Sequence, residues 1–411
     1  MSTAPPRYGE SDVFDLAAIS TADPYQGYQR FRETAALVPF LLGDVPVQLV
    51  TRYEECAAML LSADWGHGYT AGISPFREAV ALIPGVFLRL DPPEHDRLRA
   101  VVNKVFTPRA VNGYAARIAT LVDGLMDRAA EAGELDVLAD LAVPLALALV
   151  TGDLLGAPPE DGEMLRAWEF ALARGTDPDC LLSAEEIAVR SQAGRDAMAY
   201  FGALAARRRG QPGENLLDGL LSACGRQALS MAEVTGICLL TLIAGLETSI
   251  NLIGNCVLSL LRNPGQLALL RQRPELVPAA VDEVLRWDPP TTFTMRVAMK
   301  DTAVGGHRFA RGDAVVIMTA SAGRDEAVFP AAGQFDITRY HGPRPARRHL
   351  AFGLGLHYCI GAPLARMEAH AAIGALVHRT RGLELVTDTL AYQPTLIHRG
   401  LVALPVRVTA R

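Results

Sequence analysis

The order of apolar and polar positions divides this chain into a helical majority and a few short strands. Apolar residues recur at three- and four-residue spacing over Ala116–Ala132, Val137–Leu155, Leu216–Ser222, Ala232–Leu261, Glu275–Trp287 and Pro363–Arg379. That is the spacing of one buried helix face. Strand patterning is confined to shorter stretches. VPVQLV (45–50) follows a Gly-Asp turn, TAVGGHRFARGDAVVIM (302–318) reads as two strands around a Gly-Gly turn, and LVALPVRV (401–408) reads as a strand. The expectation is a mainly α protein with small β-sheets, the β-rich parts falling at 38–52, 295–320 and 380–410. The polar stretch RRRGQPGEN (207–215) is the most linker-like. Candidate site residues lie on both sides of it, so it is expected to be a surface loop between helices within a single domain covering 1–411.

Composition narrows the function classes. Half of the 411 residues are apolar and a fifth are charged, enough for a large core. The net charge of -6 argues against nucleic acid as a partner, because phosphate binding needs a basic footprint. The first residues lack a basic segment followed by an apolar run, so no secretory leader is expected. The longest apolar run, ICLLTLIAGL (237–246), contains Thr241, meets Glu247 at once and is too short to span a bilayer. A soluble, cytoplasmic, monomeric protein is expected. The six cysteines include no C-x-x-C pair and no zinc or iron–sulfur spacing, and most should be small buried apolar residues.

One cysteine stands apart. In AFGLGLHYCIG (351–361), Gly353, Gly355 and Gly361 surround Cys359, and Pro363 opens a strong helical pattern just beyond. A sulfur at a helix N-terminus meets unpaired N–H groups and the positive end of the dipole, which favour thiolate. On these residues alone three readings stay open. Cys359 can be a small buried apolar residue, a nucleophile with His357 or another of the nine histidines as base, or a lone thiolate ligand to a haem iron.

FGLGLHYCIGAPLAR (352–366) matches F-G-x-G-x-H-x-C-x-G-x-x-L-A-R at every specified position. It resembles the haem-binding signature of the cytochromes P-450. The resemblance implies the triangular, helix-rich fold of that family and Cys359 as proximal ligand of haem b (iron protoporphyrin IX). It further implies Phe352 covering the sulfur, Gly353 and Gly361 shaping the loop, and His357 at the haem edge. A distal helix with an acid–alcohol pair is implied too, and AGLETS (244–249) supplies it. Ala244 and Gly245 would face the haem, with Thr248 at the bound oxygen and Glu247 relaying protons. A buried glutamate and a helix-interior glycine, the latter costing on the order of 1 kcal/mol against alanine, break local rules in one turn, as functional sites do.

Other segments agree with the resemblance. His95 and Arg99 share one face of a helix that follows Pro92 and Pro93, and with Arg296 and His349 they match the family's propionate contacts. E-x-x-R pairs are common by chance, but only Glu283 and Arg286 fall in the family's order, with Arg339 in FDITR downstream. These three are implied to form a structural charge network. Gly323 stands where the family often has asparagine, away from the expected chemistry. The resemblance covers the chain from about Val45 to its end.

The implied activity is monooxygenation. One atom of dioxygen would go to a mainly apolar small molecule and the other to water. The chain shows no G-x-G-x-x-G dinucleotide turn and no iron–sulfur cysteines. Electrons from NAD(P)H are therefore expected through an external ferredoxin reductase and ferredoxin, docking near Arg344, Arg347 and Arg348. Phe76, Phe87, Leu240, Ile243, Thr291, Phe293 and Leu396 are expected to line the substrate pocket. The Ala-, Leu-, Arg- and Pro-rich composition resembles that of actinobacterial members, which points to hydroxylation or epoxidation of a secondary metabolite such as a polyketide, macrolide or terpenoid. Fatty-acid or steroid hydroxylation, a non-catalytic haem sensor and a cysteine hydrolase are the alternatives.

Overall fold

Helical periodicity becomes a set of helices packed around one long rod. The structure, a computed structural model, describes residues 22–76, 83–211 and 213–410. The rod is Met231–Arg262. Ser230 caps it by accepting the Glu233 N–H, and the Glu233 carboxylate returns to the Ser230 N–H. From Val234 to Leu260 most of its residues are buried, as expected of a helix threading a core. Helices Gly162–Arg174, Ala184–Arg208, Val277–Trp287 and Ala362–Arg379 pack against it. Met231–Arg262 and Val137–Leu154 are long and apolar enough to cross a membrane, but both lie largely inside the protein. The expectation drawn from the ten-residue run thus concerned one section of a much longer helix.

Two helical segments differ from expectation for clear reasons. Ala184–Arg208 carries a weak apolar signal because its buried positions are mostly Ala193, Gly194, Ala197 and Ala205, with Phe201 and Leu204. The segment expected as one helix at 137–155 is broken into wide-turn stretches, Val137–Ala142 and Ala148–Leu154, on either side of Val143–Leu147. Pro144 sits at the junction, where its missing N–H cannot complete the regular ladder.

The β-structure is marginal to this body. A five-stranded sheet has the order Leu37–Leu42, Val45–Val50, Ala314–Ile317, Thr294–Ala298, Trp65–Gly66, parallel only between the second and third of these strands. A three-stranded sheet joins Glu134–Asp136, Pro405–Ala410 and Thr380–Leu385. The stretch 302–318 was expected as two strands. It folds as a small hairpin, Thr302–Val304 with His307–Phe309, followed by Ala314–Ile317 in the larger sheet. The Gly305–Gly306 turn has positive φ at both residues (59° and 80°), the geometry of a tight two-residue hairpin. The expected final strand begins only at Pro405. The main apolar core draws on residues from Phe87 to Val408 and so includes elements on both sides of the loop at 207–215.

Candidate active site

The cysteine loop is built by its glycines and closed by its own backbone. Gly353 and Gly355 adopt φ of 67° and 65°, a region that L-residues avoid. A Cβ on Gly355 would stand 2.6 Å from the Leu60 carbonyl oxygen, so the loop lies directly on helix Tyr53–Leu61. The Gly353 N–H donates to Leu350 O (2.9 Å) and the Cys359 N–H to Phe352 O (2.9 Å). These bonds hold the cysteine at the mouth of helix Ala362–Arg379. Burial pushes the Cys359 thiol up, while the N–H groups of Gly361 and Ala362 and the charges of Arg99 and Arg366 act the other way. The donors and cations needed to hold a thiolate are therefore in place. The Phe352 ring is stacked under the Arg366 guanidinium, 4.6 Å from its centroid.

The distal helix has an open face. Its middle is buried on most sides, yet Ala244 is exposed and Thr241, Ile243, Gly245 and Thr248 are partly so. Thr248 Oγ1 donates to Ala244 O at 2.7 Å, the local back-bond available to a helical threonine. Glu247 points elsewhere. It is 6 % exposed and accepts from Asn251 Nδ2 at 2.9 Å, and burial raises its carboxyl above the ordinary value. Gly245 departs from expectation. A Cβ there would lie 3.0 Å from Val150 Cγ2, so its Cβ direction faces the neighbouring helical segment and lets that segment approach. The Ser249 hydroxyl lies beside Glu368 on helix Ala362–Arg379, the helix that follows the cysteine.

Cations gather with few counter-charges. Arg296 is 6 % exposed, and its guanidinium donates to the neutral Thr294 Oγ1 (3.0 Å) and Met295 O (2.7 Å). Burial lowers it to about 10, against a weaker pull from Asp91. His95 is fully buried; its Nδ1 meets Asp96 and its Nε2 has no partner. The His357 ring stands 4.4 Å from that of His95 and 4.9 Å from that of His67. Burial, then Arg296, His95 and Arg99, hold the His357 imidazole far below its ordinary pKa. Arg99 donates to Tyr358 O beside the cysteine. The buried Arg296, the partly buried Arg99 and histidine ring nitrogens without partners together fit a dianionic ligand edge such as the two propionates of a haem.

Two expectations about this edge change. His349 is not at the cationic cluster. It is 2 % exposed, its Nε2 lies 3.3 Å from Asp282 Oδ1, and its Nδ1 accepts the Ala351 N–H. Both ring nitrogens are therefore engaged on the Asp282–Arg366 side, and His357 occupies the cluster instead. His67 and Arg89 were missed. Burial comes first, then Arg296, His357 and Arg89, in keeping His67 neutral, and its Nε2 is unpartnered. Neither residue belongs to a motif, so only the folded chain brings them here.

Glu283, Arg286 and Arg339 form a network of ion pairs. Arg286 donates through Nε and Nη2 to the two oxygens of Glu283 (2.8 and 2.7 Å), and through the rest of its fork to the carbonyls of Gly323, Ala332 and Gln334. Arg339 Nε reaches Glu283 at 3.2 Å. The Gly323 carbonyl is part of this network. A Cβ on this glycine would stand 2.3 Å from Arg286 O, so any other residue at this position requires the backbone to shift.

The expected substrate residues divide between two apolar clusters. Phe87, Leu240 and Ile243 belong to the main core, whereas Phe76, Phe293 and Leu396 pack with the five-stranded sheet. Thr291 bridges the backbone of His398. The turn carrying Leu396 is pinned by Asp177, which takes the N–H groups of Leu396 and Ile397. A cleft of about 520 Å³ is lined by Tyr25, Arg32, Asp288 and Arg324 and by none of the expected site residues.

Comparison with known proteins agrees with this geometry. The family model for cytochrome P-450 matches residues 206–386. The chain is 36 % identical to cytochrome P-450 107B1 of Saccharopolyspora erythraea, over 96 % of this chain and 98 % of that one. It is 33 % identical to the 6-deoxyerythronolide B hydroxylase of the same organism, over 97 % and 98 %. The crystal structure of P-450 BioI in complex with an acyl carrier protein ligated by hexadec-9Z-enoic acid superposes with a TM-score of 0.84 at 33 % identity, covering 94 % of this chain and 99 % of the other. A glycine-shaped loop that presents one cysteine to a helix N-terminus, and whole-length similarity to these proteins, place the chain in the cytochrome P-450 family of haem-containing monooxygenases.

Proposed function

We propose that this enzyme hydroxylates or epoxidises a mainly apolar secondary metabolite of the polyketide, macrolide or terpenoid kind, in the cytoplasm, with electrons from NAD(P)H passed through a ferredoxin reductase and a ferredoxin. The observation that carries the reading is the open face of the distal helix at Ala244 and Thr248, with Glu247 buried behind it and apolar Leu240 and Ile243 one turn away. Cys359, with the N–H groups of Gly361 and Ala362 beside it, would hold the haem iron, and Arg296, His95, Arg99 and His357 would hold the propionates. The haem, when bound, supplies dioxygen activation. The protein's part is to place protons. Thr248 keeps its hydroxyl proton on Ala244 O, from which it can turn toward the open face. Glu247, held by Asn251, resupplies that proton. Apolar walls orient the substrate and exclude water. Similarity to a hydroxylase of 6-deoxyerythronolide B supports the substrate class.

A second reading, oxidation of a fatty acyl chain, is favoured by similarity to a protein captured with an acyl carrier protein bearing a fatty acid. Titration with macrolactones and with free and carrier-bound fatty acids separates the two. The true class should convert the haem spin state and give oxygenated product in a ferredoxin-supported assay. Saturable shifts with fatty acyl ligands alone would overturn the first reading. Donor docking is testable apart from substrate. Arg344 is exposed, Arg347 pairs with Glu54, and Arg348 lies over the Tyr358 ring (4.3 Å). Reversing Arg344 and Arg348 should slow reduction by an acidic ferredoxin most at low ionic strength. Equal rates at every salt concentration would exclude this face as the docking surface.

A further inference from the structure

The distal acid has a second carboxyl beside it that no motif predicts. Glu169 lies in helix Gly162–Arg174, which packs across the long helix. It is 2 % exposed, its Oε1 has no hydrogen-bond partner, and it feels both the charge and the main chain of Glu247. The Glu247 side chain is 6 % exposed and is held by Asn251. Two buried carboxyls facing one another cannot both ionise cheaply. The cation both feel is Arg166, which is exposed at the surface. A cavity of about 210 Å³ touches Glu247 and is lined by Phe170, Arg174, Glu186, Gln393 and Thr395, so it opens beside the pair.

We propose that Glu169 is a positioning residue for the proton relay: its charge couples to that of Glu247 across the helix contact so that the two carboxyls keep one proton between them, and the cavity at Arg174, Glu186 and Thr395 is the path by which solvent restores that proton. This rests on Glu247 acting as the relay acid. While the pair holds its proton it carries one negative charge. When Glu247 gives the proton up toward Thr248, both carboxylates are charged, and their repulsion draws a replacement from water through the cavity. Thr248 passes on one proton for each that it receives, so after the replacement from water the protein's proton count is unchanged. Burial, then the Glu247 charge, raises Glu169 well above the ordinary carboxyl range, and Glu247 is raised as well. Among the described residues, the remaining charges that face the pair are Arg166 and Arg174 from the helix of Glu169 and Glu186 from Ala184–Arg208. Arg174 is already satisfied by Asp177 and Glu186. The loop side contributes the neutral Gln393, Pro394 and Thr395.

The test is a pH titration of protonated carboxyl groups by infrared difference spectroscopy on the substrate-free protein, in a Glu368→Gln background that removes another buried carboxyl. The parent should keep one protonated carboxyl through neutral pH. In Glu169→Gln the remaining carboxyl should lose its proton at a pH lower by about a unit or more, and Glu169→Asp should restore the parent titration in part. The pH at which product per electron falls should move the same way. The proposal is overturned if Glu169→Gln leaves both midpoints where they were while Glu247→Gln uncouples turnover. If Glu247→Gln itself leaves coupling and its solvent isotope effect unchanged, the relay reading fails and this proposal falls with it.

Discussion

Glu283 and Glu247 are both glutamates buried in helices of this protein, and they are treated in opposite ways. Glu283 is fully buried, receives both arms of Arg286 and a third contact from Arg339, and accepts the Asp336 N–H as well. Every oxygen is satisfied. Glu247 is nearly as deep, but it has one amide donor, a neighbouring carboxyl and a cavity at its side. Buried charge that is fully paired braces a structure, because removing either partner strands the other. Buried charge that is poorly paired titrates instead, because the proton is the cheapest partner available. The first arrangement suits a scaffold for the cysteine loop; the second suits a group that must exchange protons.

The comparison can be broken at its strongest point first. Glu283→Ala leaves Arg286 buried without a counter-charge and should cost about 3–5 kcal/mol in denaturant unfolding. Glu283→Leu with Arg286→Leu should cost less than that single change. A loss well under 1 kcal/mol for Glu283→Ala would mean the network is not a brace.

Glu368 tests the titrating side by stability alone. Burial pushes its carboxyl up to about 8, with the Ser249 hydroxyl opposing. The folded state thus holds this proton more tightly than the unfolded chain, in which the group titrates near 4.5. Stability should fall as pH rises from about 4.5 to 8, by up to 1.4 kcal/mol per pH unit. Glu368→Gln should differ little from the parent at pH 5 and be more stable by a few kcal/mol at pH 8. Melting curves at the two pH values decide it.

Glu247→Gln should lower product formed per electron by on the order of 100-fold, with little change in unfolding midpoint at acid pH. Thr248→Ala should divert electrons to hydrogen peroxide. Both follow from the ratio of NAD(P)H consumed to product and peroxide formed. The smallest effect separates two glycines of the cysteine loop. Gly353→Ala meets only the left-handed φ penalty, about 1 kcal/mol, since His357 O is 3.7 Å from the added carbon. Gly355→Ala adds a collision with Leu60 O and should cost about 1–3 kcal/mol. Equal costs would show that the loop's seat on helix Tyr53–Leu61 yields freely.

Much of this protein is set by local sequence. The helix-rich body follows from spacing, while the thiolate loop, the Glu247–Thr248 pair and the Glu283–Arg286 pair each lie in one short stretch of chain that the resemblance to the family picks out, so they can be read before folding. The cationic edge is legible only in part. His95 and Arg99 share a helix face, but His67 and Arg89 join them from a separate segment, and His349 turns to Asp282 because that carboxylate is within reach of its Nε2. Gly245 and Gly323 look alike in sequence to any helix or turn glycine, and only the approach of Val150 and of Arg286 O gives each its reason. Glu169 is the sharpest case. Its own helix gives it an ordinary polar position, and it becomes a strained carboxyl only when that helix lies across the long one and removes water from both acids. Sequence determined which groups this protein can use; tertiary packing decided which of them face each other in low dielectric, and there distance and desolvation set the chemistry.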